Sequence, residues 1–328
     1  MSVALFTLGG TIAMAGRQAT DGVRRLTGAE LTAAVPGLAE LSVPLAAQDV
    51  EAVPSANLTL ARMLDVVDAA SKAVGDGATG IVVTQGSDTL EETAFLVDLV
   101  WPHPTPFVMT GAMRNPTLAG PDGPANLLAA ARVAASPVAR DLGALVVFND
   151  QVHAARWVRK THSTSTATFA SPDTGPIGQV VEGRVRILTR PARQDGLPSR
   201  AEPETLDATR VALYTVTLDD DGLLLEGLAD THQGLVVAGY GVGHVPSALA
   251  PVLGALAERI PVVLTSRTGG GSVLRNTYSS VGSESDLLRR GLIDGGFLHP
   301  YKARILLRLL LATGEGREQI VEAFAHHA

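Results

Sequence analysis

The chain has no cysteine, which excludes disulfides, thiolate nucleophiles and cysteine metal sites. Lysine is nearly absent too: only Lys72, Lys160 and Lys302 occur, and the remaining basic side chains are arginines and eight histidines. Aromatic residues make up 4% of the chain, and its four tyrosines stand at 214, 240, 278 and 301. Apolar runs of the roughly 18 residues that cross a bilayer are missing. A basic surplus is missing as well, since 26 Lys+Arg against 33 Asp+Glu leave a net charge of −7. That balance argues against nucleic acid or an anionic membrane as a partner. Met1-Ser2-Val3-Ala4-Leu5-Phe6 has no basic start and no long apolar stretch before a cleavage site. No secretory signal is therefore expected, and a cytoplasmic location is. Among the histidines only His326-His327 are paired, which reads as a solvated tail, so neither metal nor cofactor is expected.

The shortage of lysine has a chemical side. Arginine keeps its proton, whereas a lysine amine can be tuned by its surroundings. Lys72 lies on a polar helix face. Lys160 precedes a run of Thr and Ser, which makes it the more interesting cation.

Two short stretches carry most of the chemistry. Leu5-Phe6-Thr7-Leu8-Gly9-Gly10-Thr11-Ile12-Ala13 and Ile81-Val82-Val83-Thr84-Gln85-Gly86-Ser87-Asp88-Thr89 each run from apolar strand through glycine to a hydroxyl and then a helix. A strand that ends this way leaves backbone N–H groups facing whatever sits there. Either stretch alone reads as a turn with an N-cap. Together they describe a site where a hydroxyl attacks and N–H groups hold an anion.

At 328 residues the chain is long for one core and suits two domains. Val3–Thr7, Gly80–Thr84, Phe107–Thr110 and Leu142–Phe148 read as strands; Ala61–Ala73, Thr89–Leu99 and Ala125–Ala135 read as helices. This alternation predicts an α/β fold with a parallel sheet and helices on both faces over residues 1–190. Residues 170–210, rich in Pro, Arg, Gly and Asp, read as a hairpin and then a linker at 191–210. A smaller α/β domain follows at 211–328, from Val211–Leu218, Gly234–Ala238, Ala248–Arg259, Val262–Thr265 and Arg304–Ala312. Ligands of such sheets bind beyond the carboxyl ends of the strands, where both glycine turns fall.

The motifs, in order, resemble the bacterial-type L-asparaginases. The matching pieces are Thr7–Ala13, Thr84–Thr89 with Glu91–Ala94, Thr110-Gly111-Ala112-Met113-Arg114 and Asp122–Leu127. Lys160-Thr161 with Ala167-Thr168-Phe169, and Lys302-Ala303-Arg304, complete the set. The resemblance implies hydrolysis of L-asparagine to L-aspartate and ammonia, without a cofactor, in a homo-oligomer such as a dimer or a homotetramer built as a dimer of dimers. It implies that Thr11 is the nucleophile, where the residue-level alternative is a helix cap. Ser87, Asp88 and Lys160 would pass the proton, with a buried structural ion pair as the alternative. Ser87 stands where the family usually has threonine. Backbone N–H groups at Ser87 and near Ala112 would hold the oxyanion. Ser55, Gly86 and Ser87 would hold the substrate carboxylate and Asp88 its amine.

Two departures follow. Ala56 stands where members that also take glutamine often have glutamine, so strong glutaminase activity is not expected. The loop from Met14 to Gly28, where the family usually keeps an assisting tyrosine, contains none. Tyr278, beyond the Gly-rich Thr268-Gly269-Gly270-Gly271, is then expected to replace it across a subunit interface, with Glu284 approaching the substrate amine; both also read as ordinary loop residues. Three alternatives remain: a broader glutaminase-asparaginase, an amino-acid-binding module without catalysis, and a nucleotide enzyme. The last lacks a full dinucleotide fingerprint or a lysine-bearing phosphate loop.

Overall fold

Apolar side chains facing both ways along short strands explain the first sheet. The structure, a computed structural model, describes residues 2–15, 24–41, 43–50, 53–197 and 199–327. It divides into two compact units, Met1–Gly196 and Leu197–Ala328.

In the first unit the strands are β1 (Ser2–Thr7), β2 (Met14–Ala15), β3 (Arg24–Arg25), β4 (Leu45–Asp49), β5 (Ala78–Thr84) and β6 (Phe107–Thr110). They continue with β7 (Ala144–Phe148), β8 (Gln151–Ala154), β9 (Arg159–Lys160), β10 (Phe169–Ala170), β11 (Gly178–Val181) and β12 (Arg184–Ile187). Eight of them form one sheet in the order β12-β11-β8-β7-β6-β5-β1-β4. The five from β4 to β7 are parallel, and β8, β11 and β12 extend the sheet antiparallel. The helices are α1 (Gly28–Ala33), α2 (Leu60–Gly75), α3 (Leu90–Val100) and α4 (Gly123–Ala135).

Val3, Leu5, Val82, Val108, Leu145 and Val147 share one cluster with Leu127, Ala130 and Ala134 of α4. The intervening Phe6, Ile81, Val83, Met109 and Val146 are equally buried outside that cluster. Alternate residues thus face opposite layers, as the strand period requires. Thr27 caps α1 in a reciprocal box with Glu30, and Thr59 caps α2 by accepting from the Arg62 N–H.

The second unit holds α5 (Pro203–Ala208), α6 (Leu228–Thr231), α7 (Leu249–Ala257), α8 (Glu284–Arg289), α9 (Pro300–Ala312) and α10 (Arg317–His327). Its parallel sheet runs β13 (Val211–Thr215), β14 (Gly234–Gly239), β15 (Val262–Ser266) and β16 (Ile293–Asp294) in sequence order. Val237, Leu264, Leu249, Leu253 and Leu287 make its core.

Several elements differ from the reading of the sequence. The small hairpin β2–β3, the mostly exposed β4 and the ribbon β9–β10 carry too little apolar pattern to be read. Helix α5 lies inside the expected linker, because Leu206 is fully buried there. The terminal pair is not a solvated tail: both histidines close α10, and His327 is buried. Of the loop from Met14 to Gly28, residues 16–23 lie outside the described residues.

Candidate active site

The site grows from three adjacent strand ends. After β1, the Leu8 N–H donates to the Thr84 carbonyl (2.9 Å), and after β5 the Gln85 N–H donates to the Thr110 carbonyl (3.0 Å). Beyond these bonds each strand turns at glycine. Gly9 and Gly10 take φ of 82° and 85°, and Gly10 adds ψ of −176°, a region open essentially to glycine alone. A Cβ on Gly10 would sit 2.6 Å from the Gly86 Cα. The first two turns therefore touch backbone to backbone.

Thr11 opens a single 3-10 turn, Thr11–Ala13, whose N-cap is Gly10 and which has no side-chain capping bond. The cap position is thus filled by Gly10, and Thr11 is the first residue of the turn itself. At the second turn, Gln85 is wholly buried and holds the backbone open. Its Oε1 accepts from the Thr93 hydroxyl (2.9 Å), and its Nε2 donates to the Gly86 carbonyl (3.3 Å). Gly86 also faces Ser55, whose Oγ would lie 2.6 Å from any Cβ added there. Ser55 is buried, its carbonyl accepts from the Thr89 hydroxyl (3.0 Å), and its own Oγ has no hydrogen-bond partner among the described residues. A buried hydroxyl left in this state is costly unless a ligand meets it.

The third turn holds Gly111 and Ala112. The Asp122 carboxylate accepts from the N–H groups of Met113 (3.0 Å) and Arg114 (2.8 Å), and from Asn126 Nδ2 (3.1 Å). Asn126 also donates to the Gly111 carbonyl (3.0 Å) and accepts from the Asn149 N–H (2.9 Å). Gly123 has no room for a Cβ, which would meet Ile12 Cγ1 at 2.9 Å and Ala112 Cβ at 3.3 Å. The motif Asp122–Asn126 is visible in the sequence; its task of bracing the third turn is not.

Lys160 comes from the ribbon β9–β10, where it pairs with Phe169, and Phe169 packs on Phe148 with ring centroids 4.8 Å apart. Its Nζ donates to Ser87 Oγ and to Asp88 Oδ1, both at 2.9 Å. The lysine side chain is 15% exposed, whereas that of Asp88 is 69% exposed. One amine thus bridges a hydroxyl within the protein and a carboxylate turned toward solvent. The structure brings Ser87, Asp88 and Lys160 together, the grouping that the family resemblance implied.

Comparison with known proteins then bears on identity. Residues 2–193 match the family described as Asparaginase, N-terminal, and residues 210–324 match the Glutaminase/Asparaginase C-terminal domain. The chain belongs to the asparaginase family. A Deinococcus radiodurans protein named Probable L-asparaginase is 36% identical over 98% of this chain and 96% of its own. L-asparaginase 2 of Escherichia coli is 32% identical over 98% of this chain and 92% of its own. The crystal structure of a probable cytoplasmic L-asparaginase from Campylobacter jejuni superposes with a TM-score of 0.87 at 30% identity, covering 99% of both chains.

Two residues expected to complete the candidate site lie in the second unit. Tyr278 is 48% exposed, and its ring meets that of His244 edge-on at 4.8 Å. Glu284 is wholly buried. Its Oε1 accepts from the N–H groups of Thr277 (3.0 Å) and Tyr278 (2.8 Å), and its Oε2 pairs with His244 Nε2 (3.0 Å). Burial pushes the Glu284 carboxyl up. The bonds from the Tyr278 N–H, its own N–H, His244 and the Thr277 N–H outweigh that and hold it below the usual carboxylate range. The expectation that Glu284 approaches the substrate amine meets a physical obstacle in this unit. Its carboxylate is enclosed and engaged, so an amine reaches it only in exchange for one of these bonds.

Proposed function

We propose that the protein hydrolyses L-asparagine to L-aspartate and ammonia through an acyl-enzyme on Thr11. The observation that carries this reading is the Lys160 amine, 2.9 Å from both Ser87 Oγ and Asp88 Oδ1, on the glycine turn that packs against Gly10 beside Thr11. Family membership and relatives named L-asparaginase support the substrate.

In the proposed reaction Thr11 Oγ attacks the side-chain amide carbon and yields its proton toward the Ser87–Lys160–Asp88 group. The proton is passed to the leaving nitrogen, ammonia departs, and a β-aspartyl ester remains. Water, deprotonated by the same group, then hydrolyses the ester and restores the hydroxyl. Backbone N–H groups at Ser87 and Ala112 face the oxyanion. Ser55 and Gly86 hold the α-carboxylate; the unpartnered Ser55 hydroxyl supports this. Asp88 holds the amine. Tyr278 supplies the phenol that Met14–Gly28 lacks, from a neighbouring subunit of a homo-oligomer, a dimer or a homotetramer. Glu284 meets the amine there only by exchanging a bond.

A cytoplasmic location belongs to the same reading. The Campylobacter neighbour, a probable cytoplasmic enzyme by name, supports it, although a Haemophilus influenzae relative is named periplasmic. Among the described residues no helix is long and apolar enough to cross a membrane.

The test is ammonia release by Thr11→Ala. Loss of at least about three orders of magnitude, with aspartate still bound, is expected on removing a nucleophile. Near-normal release would remove Thr11 from the reaction. Wild-type protein that binds asparagine and releases no ammonia would instead be an amino-acid-binding module.

A further inference from the structure

The ribbon that carries Lys160 is not part of the eight-stranded sheet. β9 has two residues and pairs only with β10, so its ladder alone does little to hold the lysine still. Lysine is among the side chains with most rotamer freedom to lose. Something must hold the ribbon against the start of α3, where Ser87 and Asp88 stand. Phe169 on Phe148 is one anchor. The second is ionic: Arg159 Nε stands 3.9 Å from Glu91 Oε2, a charge pair beyond hydrogen-bond reach but shielded from water, with side chains only 19% and 7% exposed.

The arrangement is a pair of parallel bridges. Arg159 and Lys160 are consecutive in the ribbon, and their partners Glu91 and Asp88 stand one helical turn apart around the start of α3. A single bridge from Lys160 would leave the ribbon free to pivot about Nζ. A second ion pair to the same helix start, from the neighbouring ribbon residue, resists that pivot. Glu91 also lies in the first turn of α3, where a negative charge is favoured.

We propose that Arg159 and Glu91 are positioning residues for the reaction, fixing the Lys160 amine through the ribbon without touching substrate. This rests on the reading of Lys160 as the proton carrier. The bridge has no part in binding asparagine, so its loss acts on turnover. A misplacement of about 1 Å can cost on the order of 100-fold in rate.

The experiment compares Arg159→Lys and Arg159→Gln with the wild type, and repeats Arg159→Gln in a Lys160→Ala background. Arg159→Lys keeps the charge beside Glu91 and guards against a mere folding defect, which thermal melting and aspartate binding monitor. Expected is a fall in kcat of about 10- to 100-fold in Arg159→Gln, with most of it restored in Arg159→Lys, and KM for asparagine changed less than about threefold in both. In the Lys160→Ala background Arg159→Gln should change the residual rate less than about twofold, because a residue acting only through Lys160 has nothing left to position.

An unchanged kcat in Arg159→Gln, with Lys160→Ala inactive, overturns the inference and leaves the relay standing. A full multiplicative loss in the Lys160→Ala background also overturns it and makes the bridge merely structural. Near-normal turnover by Lys160→Ala overturns the relay reading itself.

Discussion

Gly10 rests directly on Gly86, so close that a methyl group on the first would stand 2.6 Å from the Cα of the second. The contact joins the strand end that carries Thr11 to the strand end that carries Ser87 and Asp88. Two turns far apart in the chain become one surface, and neither glycine leaves room for drift between them.

Gly10→Ala is therefore expected to damage fold and activity together. The φ of 85° with ψ of −176° costs a side chain about 1–3 kcal/mol before any clash. Denaturant melting should show a loss of at least about 2 kcal/mol, and ammonia release should fall at least about tenfold. An alanine variant as stable and as active as the parent would mean that the turns separate without penalty.

Ser87, Asp88 and Lys160 should behave as a unit, since each serves proton transfer only beside the others. Single and paired alanine substitutions are expected to be strongly non-additive in kcat. Lys160→Arg should be inactive although it keeps the charge, because guanidinium does not give up its proton. Additive losses, or an active arginine variant, would argue for independent or purely structural roles.

Asparagine should be preferred over glutamine. Ala56 follows the buried Ser55 and offers no polar atom to a longer substrate's amine. The ratio of kcat/KM for the two amides measures this, and equal values would refute it. Improved glutamine use by Ala56→Gln would locate the cause.

Tyr278→Phe is expected to lower kcat far more than it weakens aspartate binding, since a phenol that assists proton transfer matters chiefly in the transition state. The residue is held by its backbone, with Glu284 accepting from the Tyr278 N–H and the Ser283 and Ser285 hydroxyls donating to its carbonyl, while the half-exposed ring makes a T-shaped contact with His244. If turnover is unchanged in the phenylalanine variant, the role assigned to this tyrosine falls.

How legible the site was in the sequence depended on how locally each part is encoded. β1, β5 and β6 are nearly uninterrupted apolar runs ending in glycine or threonine, so their ends could be placed within a residue or two. Ser87, Asp88 and Lys160 could be grouped because their motifs follow a known order. Gln85 and Asn126 stand in the recognised motifs, but their bracing task escaped, because a buried amide that holds a backbone looks in sequence like any polar residue in a turn. β4 escaped because four of its five side chains are exposed and no alternation marks it. The enclosure of Glu284 was hidden for another reason. It depends on His244 and on the folding back of Thr277 and Tyr278, none of which a one-dimensional pattern contains.

The place of β1 in the sheet carries a consequence for how the enzyme comes into being. β1 precedes both β4 and β5 in the chain, yet it lies inside the sheet between them. Its parallel ladders cannot close until those later segments exist, so the entropy of long loops is paid before the pairing rewards it. The threonine at its tip is synthesised early and seated late. The Gly10–Gly86 contact can form only once the chain has been made past β5, because its two sides come from the ends of β1 and β5.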